Sequence, residues 1–309
     1  YIMSMITNIL SKLLGETLLS FYPIIVKKIN LDLILQLWSR YFSYVIFSAL
    51  FIDWGFVYKS IRSFDGLMLS VITLIHVYTS YRSFQLLDSG IATTIFYLYP
   101  IIILLLSGTY FSPILFVSLF GVYLIANDIN GSSQSDNTNS ENTNAELDEL
   151  LHKYGANGRA NIFKDGKNLK EHYWNEGIIT ALLAAFTEAV IFYLIRNIKT
   201  NNNWNHLFLS YFIGAIVLTF FLWEKISKTT LYSGMSLSLG LNSFIGLIGY
   251  YLRFYSISRL DTYTYAILSY FGIVMSYIYG VVLNNEVITL QKLFGTLCII
   301  SANIYTIFR

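Results

Sequence analysis

The sequence predicts an all-α integral membrane protein with ten transmembrane helices, arranged as two inverted repeats of five helices. Three observations support this prediction. Of the 309 residues, 55% are apolar and only 12% are charged, whereas soluble globular proteins carry roughly 25% charged residues. The apolar residues fall into ten long stretches. Polar features of the first five stretches recur, in the same order, in the second five.

The ten apolar stretches are bounded by charged residues, asparagine, glycine or proline. A helix of about 20 apolar residues crosses a bilayer core. The runs are too continuously apolar for the alternating strands of an outer-membrane barrel. No small-residue cleavage site follows the first stretch, so we interpret it as a span and not as a cleaved signal. The predicted spans are 4–26, 31–52, 66–85, 89–107, 113–128, 175–196, 205–223, 234–254, 262–283 and 288–308.

A polar segment separates the two sets of five spans. Residues 129–173 are rich in asparagine and serine and lack apolar periodicity, which is typical of a solvated, partly disordered linker. Within it, residues 145–154 are expected to form one or two helical turns. The predicted domains are a first five-helix repeat over 1–128, the linker over 129–173 and a second five-helix repeat over 174–309.

The two halves share polar residues at a nearly constant offset. Because five is an odd number, two such halves in sequence must lie in the membrane with opposite topology, and inverted repeats recur in secondary transporters. The basic residues of the short loops are divided evenly between the two sides, so the positive-inside rule does not fix the orientation. The matching pairs are Glu16/Glu188 and Lys27/Lys199 at an offset of 172, Ser83/Ser256, Asp88/Asp261 and Tyr97/Tyr270 at 173, and Gly121/Gly295 at 174.

The ends of the halves carry further motifs. The second half reads FYSISRLDTYTYAILSYFGIVMSYIYGVVLNNEVITLQKLFGTLCIISANIY, with Glu286 in a turn and Gly295 in the last span. The first half reads SFQLLDSGIATTIFYLYPIIILLLSG and contains Pro100, and span 2 contains Arg40. In these features the chain resembles the EamA-type members of the drug/metabolite transporter superfamily, over nearly all of its length except the linker.

The resemblance implies a ten-helix inverted-repeat fold. Spans 1–4 and 6–9 would line a central cavity, and spans 5 and 10 would be peripheral. The sequence departs from the family pattern at two places. The first-half turn, SGTYFSP, has no glutamate, and the second-half proline is replaced within SYFGI. These motifs are helix-packing signals, so they do not identify a substrate.

Ionisable residues inside the spans are candidates for function, because a charge at the centre of a membrane helix costs about 2.5–3.5 kcal/mol. Glu16 either pairs locally with Lys12, one turn earlier, or faces a cavity as a proton or cation site. Its recurrence as Glu188 favours the second interpretation, and both glutamates are proton-coupling candidates. Arg40 and Arg253 are expected to pair with Glu16 or Glu188, and the alternative is that they anchor an anionic substrate.

The other candidate residues are a histidine and several tyrosines. His76 is expected to be a hydrogen-bonded interior residue, and no second His or Cys is placed to complete a metal site, so no metal or cofactor is predicted. Tyrosine occurs 25 times, and aromatic walls with hydroxyl tips suit amphipathic or ring-bearing solutes. Helix packing and interfacial anchoring are the ordinary roles of tyrosine. The candidate substrate-binding residues are Glu16, Tyr22, Arg40, His76, Tyr78, Tyr81, Tyr97, Tyr99, Glu188, Tyr250, Tyr251, Arg253 and Tyr270.

Two sets of residues are expected to shape the helices. Pro23 and Pro100 should kink or interrupt spans 1 and 4, since proline cannot continue the helical hydrogen bonds. Small residues allow membrane helices to approach closely, and those near the last span of each half suggest a homodimer through these helices. They are Gly121, Gly295, Ser301 and Ala302.

No enzyme motif is present: the chain has no GxSxG, P-loop, HExxH or Gly-rich dinucleotide loop. The net charge of +2 gives no reason to expect nucleic acid. We therefore predict a secondary carrier of a small organic metabolite in a lipid bilayer, with an exporter of amino acids or related metabolites as the first choice. One alternative is a nucleotide-sugar or sugar-phosphate exchanger, which would need several convergent basic residues. The other is a non-transporting scaffold or receptor with fully paired polar groups and no cavity.

Overall fold

A computed structural model of the protein describes residues 2–29, 32–87, 89–108, 113–126, 159–228, 233–284 and 289–308, and the regular secondary structure of these residues is helical throughout. The helices, numbered here in chain order, are α1 Ile2–Leu19, α2 Tyr22–Lys28, α3 Leu33–Ala49, α4 Trp54–Ile61, α5 Phe64–Leu86, α6 Ser89–Phe96, α7 Tyr99–Leu106, α8 Pro113–Ala126, α9 Arg159–Asn197, α10 Asn203–Lys228, α11 Ser233–Ile257, α12 Thr262–Ser269, α13 Phe271–Asn284 and α14 Leu290–Phe308.

Each of the ten predicted stretches coincides with one helix or with two consecutive helices. Within the described residues, four stretches are long and apolar enough to cross a membrane, and the pair α4 and α5, bent by 84°, is a fifth if it counts as one span. Shorter apolar helices cover Ala92–Leu106 and Pro113–Leu124. The four stretches are Met5–Val26, Asn175–Asn197, Asn203–Glu224 and Thr262–Leu283.

Three of the predicted spans are interrupted. Span 1 breaks between α1 and α2, and span 4 breaks between α6 and α7, and in both cases a proline lies at the start of the second helix. These are the interruptions that Pro23 and Pro100 predict. Span 9 breaks at Tyr270 without a proline, which the sequence did not indicate. Tyr270 is 173 residues after Tyr97, so this break recurs at the position equivalent to the break in span 4.

Two further elements differ from the prediction. The short helix α4 lies in the connection between spans 2 and 3, and it is capped by the Asp53 carboxylate, which accepts from the amides of Gly55 and Phe56. Helix α9 begins at Arg159, within the segment that we assigned to the linker, because a helix already nucleated in an apolar segment extends readily into a flanking polar one. The expected turns at 145–154 lie outside the described residues.

The helices of one half pack mainly against helices of the other half. The contact of α5 with α9 has its counterpart in that of α11 with α1, and the contact of α10 with α5 has its counterpart in that of α3 with α11. Helix α9 packs on α6 and α7, as α1 packs on α12 and α13. The pairs α3/α10 and α8/α14 join equivalent helices, and the contact of α7 with α12 has its counterpart in that of α13 with α6. Exchanging the two halves therefore maps this set of contacts onto itself, and the centre of the molecule lies between the halves.

The small residues of α8 and α14 are used within one chain. A Cβ atom on Gly121 would lie 2.5 Å from the carbonyl oxygen of Gly295 and 3.1 Å from Cβ of Cys298. The two glycines thus allow the last helices of the halves to touch each other. A homodimer through the last helices of each repeat stays a prediction.

Candidate functional site

A narrow cavity lies between the two halves. Its volume is about 30 Å³, room for about one water molecule. Its walls come from the spans that surround the centre, and none of its lining residues belongs to α8 or α14. They are Leu19, Ser20, Tyr22, Pro23, Arg40, His76, Ser80, Tyr81, Phe84, Thr93, Phe96, Tyr97, Tyr250, Arg253 and Ser276.

The break in span 1 is hydrogen-bonded to the start of α13. The Ser20 hydroxyl lies 2.6 Å from the Glu16 carbonyl oxygen and 2.8 Å from the Gly272 carbonyl oxygen, to both of which it can donate. Gly272 follows the break in span 9 by two residues. This contact therefore places two interrupted helices, one from each half, against the cavity.

Arg253 joins an acid of the first half to an acid of the second. Its Nη1 lies 2.8 Å from Glu188 Oε1, and its Nη2 lies 3.2 Å from each carboxylate oxygen of Glu16. Lys12 Nζ lies 2.6 Å from Glu16 Oε1. All four side chains are buried. The predicted local pair of Lys12 with Glu16 and the predicted pairing of Arg253 are both present, in one network.

Both oxygens of Glu16 receive donors. The Tyr97 hydroxyl donates to Oε2 over 2.8 Å, and the Tyr99 hydroxyl donates to Oε1 over 3.3 Å. Lys12 also lies over the ring of Tyr265, with Nζ 3.5 Å from its centroid. A carboxylate surrounded by donors, with two cations beside it, is held in its ionised form. Glu16 is therefore the fixed anion of this network.

Glu188 is in a different environment. Its Oε2 faces His76 Nε2 at 3.2 Å and accepts no hydrogen bond within the described part of the chain. His76 Nδ1 lies 3.1 Å from the Ala184 carbonyl oxygen and 3.2 Å from the Thr187 hydroxyl oxygen, and that hydroxyl can donate to backbone carbonyls of its own helix. A carbonyl only accepts, so Nδ1 carries the hydrogen. In neutral His76, Nε2 is then a hydrogen-bond acceptor, and it faces Glu188 Oε2, which in the carboxylate is also an acceptor.

Arg40 forms the opposite wall. Its Nη2 donates to the Tyr211 hydroxyl over 2.7 Å, and no acidic side chain lies within 4 Å of it among the described residues. The prediction that Arg40 pairs with Glu16 or Glu188 is therefore wrong. Helix α3 packs on α10 and α11, whose facing side chains are tyrosines. Arg40 Cζ lies 5.0 Å from the ring centroid of Tyr22, 5.3 Å from Tyr44, 5.4 Å from Tyr81, 5.5 Å from Tyr211 and 4.6 Å from Tyr250.

Four of the residues that line the cavity each have a buried polar atom without a hydrogen-bond partner within the described structure. The atoms are Arg40 Nε, Thr93 Oγ1, Arg253 Nε and Ser276 Oγ. Buried polar atoms are nearly always paired with protein or water, so these four atoms distinguish the lining of this cavity from ordinary apolar packing. The sequence did not single out Thr93 or Ser276, because a hydroxyl in an apolar helix more often bonds to its own backbone.

The candidate tyrosines divide into three groups. Tyr22, Tyr81, Tyr97 and Tyr250 line the cavity. Tyr99 and Tyr270 are buried but are not among the lining residues. The Tyr99 hydroxyl donates to Glu16, and Tyr270 lies at the break in span 9.

Tyr78 and Tyr251 do not line the cavity, which corrects the prediction that they belong to its wall. Tyr78 is 44% exposed, and Tyr251 packs on Trp204 with the ring centroids 4.3 Å apart. Successive residues of an α-helix point about 100° apart. Tyr78 therefore faces away from His76 on α5, and Tyr251 is turned away from Tyr250 on α11.

Comparison with known proteins agrees with this arrangement. The model of the EamA-like transporter family matches residues 175–308. This part of the chain is therefore similar to the EamA-like transporter family. The family is part of the drug/metabolite transporter superfamily, so the resemblance in the sequence motifs is confirmed. The chain, with its several apolar helices, is a multi-pass integral membrane protein.

A solved structure is similar in fold over nearly the whole length of the chain. A protein of known crystal structure, 12% identical in sequence, has a TM-score of 0.64 over 98% of this chain and 97% of its own. At this identity the likeness concerns the fold alone, and the fold includes the first half, which the family model does not match. No curated protein matches the sequence.

Proposed function

We propose that this protein is a secondary transporter that moves a small organic metabolite by alternating access. The observation that carries the proposal is the cavity between the two halves, four of whose lining residues each have an unpaired buried polar atom. Secondary transporters of this kind bind their solute between structural repeats, where helices are interrupted. The cavity has both properties, since Ser20 and Tyr97, from the breaks in spans 1 and 4, line it.

The proposal includes ten spans in two inverted repeats. Two observations support this part of the proposal. Exchanging the halves maps the contact of α5 with α9 onto that of α11 with α1, and the break in span 4 recurs in span 9. Two five-span units in one chain must have opposite topology. Rocking of one unit against the other would then open the same cavity to either side of the membrane in turn.

The cavity in this conformation has room for about one water molecule. Loading a metabolite therefore requires the halves to separate on one side. Two contacts hold them together beside the cavity. One is Arg253, which binds Glu16 and Glu188 at once. The other is the hydrogen bond from Ser20 to Gly272. We assign a gating role to both, because neither can persist while its two elements move apart.

We further propose that the carrier is proton-coupled, and that the proton binds between His76 Nε2 and Glu188 Oε2. When the site is loaded, the proton is bonded to one of these atoms and donated to the other. When the proton leaves, two acceptors face each other at 3.2 Å, and the Tyr250 hydroxyl, 3.4 Å from Nε2, can donate to the histidine instead. Glu16 is less suited to this role, because both of its oxygens already accept hydrogen bonds.

The alternatives have less support. A scaffold or receptor would have fully paired polar groups and no cavity, whereas four residues that line the cavity each have an unpaired buried polar atom. An exchanger of phosphorylated sugars would need several convergent cations. Of the two deep arginines, Arg253 is already paired with two carboxylates, which leaves Arg40.

The test is transport in proteoliposomes across a panel of amino acids and related metabolites, in two modes. In the wild-type protein, a pH gradient should drive accumulation of the solute, and exchange of labelled for unlabelled solute should proceed without the gradient. Glu188→Gln should lower gradient-driven accumulation of the solute about 10-fold or more. It should retain solute exchange, because exchange does not require the proton to leave. Glu176→Gln is the matched control, since Glu176 pairs with Arg82 away from the cavity and should leave both modes unchanged.

Two results would count against the proposal. If the wild-type protein moves no solute of the panel in either mode, the carrier function fails. If Glu188→Gln still accumulates solute on a pH gradient as the wild type does, the carrier function stands, but the proton site between His76 and Glu188 does not.

A further inference from the structure

Arg40 is a buried cation without a counter-ion. Among the described residues, the other charges of the buried interior balance, because Lys12 and Arg253 are offset by Glu16 and Glu188. Arg40 is 1% exposed, and its Nε has no partner. An uncompensated charge in a membrane interior is costly, and where one occurs it commonly marks a substrate or ion pathway.

The tyrosine cage around Arg40 stabilises a cation without neutralising it. The faces of aromatic rings attract a guanidinium through their quadrupole, but they carry no net charge. The cage is built by both halves: Tyr22, Tyr44 and Tyr81 come from the first half, and Tyr211 and Tyr250 come from the second.

The positions of the cage rings are fixed by hydrogen bonds. The hydroxyls of Tyr22 and Tyr44 are 2.7 Å apart, and the Asn242 amide donates to the Tyr81 hydroxyl over 3.1 Å. Arg40 is therefore held in place with its charge available on the cavity wall.

We propose that Arg40 binds a single carboxylate of the transported solute, so that the protein carries organic monoanions or zwitterions. This inference rests on the transport function proposed above and names its substrate class. A guanidinium binds a carboxylate through charge-assisted hydrogen bonds. Arg40 lines the cavity, and its Nε–H is a donor without a partner. The tyrosine rings around it offer an apolar surface to the rest of the solute.

The charges of the cavity favour one carboxylate over a phosphate. A phosphate monoester carries nearly two negative charges at neutral pH and would require a second cation. Arg253 is the other arginine on the wall, but Glu16 and Glu188 hold it. Recruiting Arg253 would leave two carboxylates buried without their cation, which is strongly unfavourable.

Binding of a carboxylate can be tested by thermal unfolding of the purified full chain in detergent, with pairs of probes that differ only in the carboxylate. The pairs are benzoate with benzamide and N-acetylphenylalanine with its amide, and phenyl phosphate is the third arm. The carboxylates should raise the unfolding temperature, because a ligand that binds only the folded state stabilises it by mass action. The amides should not, and phenyl phosphate should act more weakly than benzoate.

Two variants test the role of Arg40. Arg40→Gln should weaken carboxylate binding about 10- to 100-fold, the loss expected for a charge-assisted contact, and without any probe it should unfold at the wild-type temperature or higher, because it removes an unpaired buried charge. A merely structural arginine would give the opposite change in stability. Arg62→Gln is the matched control, since Arg62 also lies over a tyrosine, 4.1 Å from the Tyr58 ring centroid, but on the surface.

The outcomes separate this inference from the transport function. Proteoliposomes that move neutral or cationic solutes, with carboxylates neither bound nor transported, would overturn the role of Arg40 and keep the carrier. A wild-type protein that no carboxylate of the panel stabilises, or an Arg40→Gln variant that binds carboxylates as tightly as the wild type, would also overturn it. If carboxylates bind in a way that depends on Arg40 but the proteoliposomes transport no solute, then the binding site stands and the transport function fails.

Discussion

Replacing Arg253 with Met is expected to lower the free energy of unfolding by about 3–5 kcal/mol, the cost of breaking a buried ion pair by removing one partner. The variant would leave Glu188 without a cation and Glu16 with Lys12 alone. The measurement is the midpoint of unfolding in a denaturing-detergent titration. Arg82→Met is the control, because the pair of Arg82 with Glu176 is about one-third exposed, and such pairs contribute less than about 1 kcal/mol.

A second substitution separates charge from packing in this result. Adding Glu188→Gln to Arg253→Met removes the carboxylate that the first change leaves unpaired, and it should restore more than half of the lost stability. Glu16 keeps its pair with Lys12, 2.6 Å away, in the double variant. If the double variant is no more stable than Arg253→Met alone, then the loss comes from the missing side-chain volume and the ion network is not what joins the halves.

The sequence predicts the parts of this fold that depend on lipid. All ten apolar stretches are helical, because a segment of that length in hydrocarbon must satisfy its backbone internally. The breaks at Pro23 and Pro100 follow from the chemistry of proline. The convergence of Glu16, Glu188 and Arg253 could also be predicted from the sequence, since buried charges require partners and Glu16 recurs as Glu188 in the second half.

Other features depend on packing, which the sequence does not display. The break in span 9 occurs at Tyr270 without a proline, and it becomes visible only when Gly272 is found against Ser20 of the first half. Arg40 was expected beside a glutamate because charge is costly in lipid. The structure places it among five tyrosines instead. A single sequence shows neither which face of α3 is turned inwards nor which helices it meets.

Tyr250 links the two proposed binding positions. Its ring lies 4.6 Å from Arg40 Cζ and its hydroxyl lies 3.4 Å from His76 Nε2. A carboxylate arriving at Arg40 adds negative charge close to the His76–Glu188 pair, and negative charge favours the bound proton. Solute and proton would then bind with positive cooperativity, which is reciprocal by linkage. The shared tyrosine gives a physical basis for coupling within one cavity.

Gly272→Ala is expected to destabilise the protein by about 1–3 kcal/mol, the usual cost of adding volume to a packed interior. A Cβ atom at Gly272 would overlap the Tyr97 hydroxyl and lie 2.9 Å from Glu16 Oε2. Tyr97 would have to move, and Glu16 would lose the donor that now lies 2.8 Å from its Oε2. The same unfolding titration measures the change, and solute exchange in proteoliposomes should fall with it.

Gly240→Ala is the matched control for this substitution. Gly240 is also helical, but a Cβ atom there meets nothing within 4 Å, so the change should be neutral or should stabilise by up to about 1 kcal/mol through the higher helix propensity of alanine. A double-mutant cycle identifies the clash: Tyr97→Leu removes the overlapping hydroxyl, and Gly272→Ala should then cost clearly less than it does in the wild type. An equal cost in both backgrounds would mean that Gly272 does not make room for Tyr97, and that another feature of the packing positions the donor to Glu16.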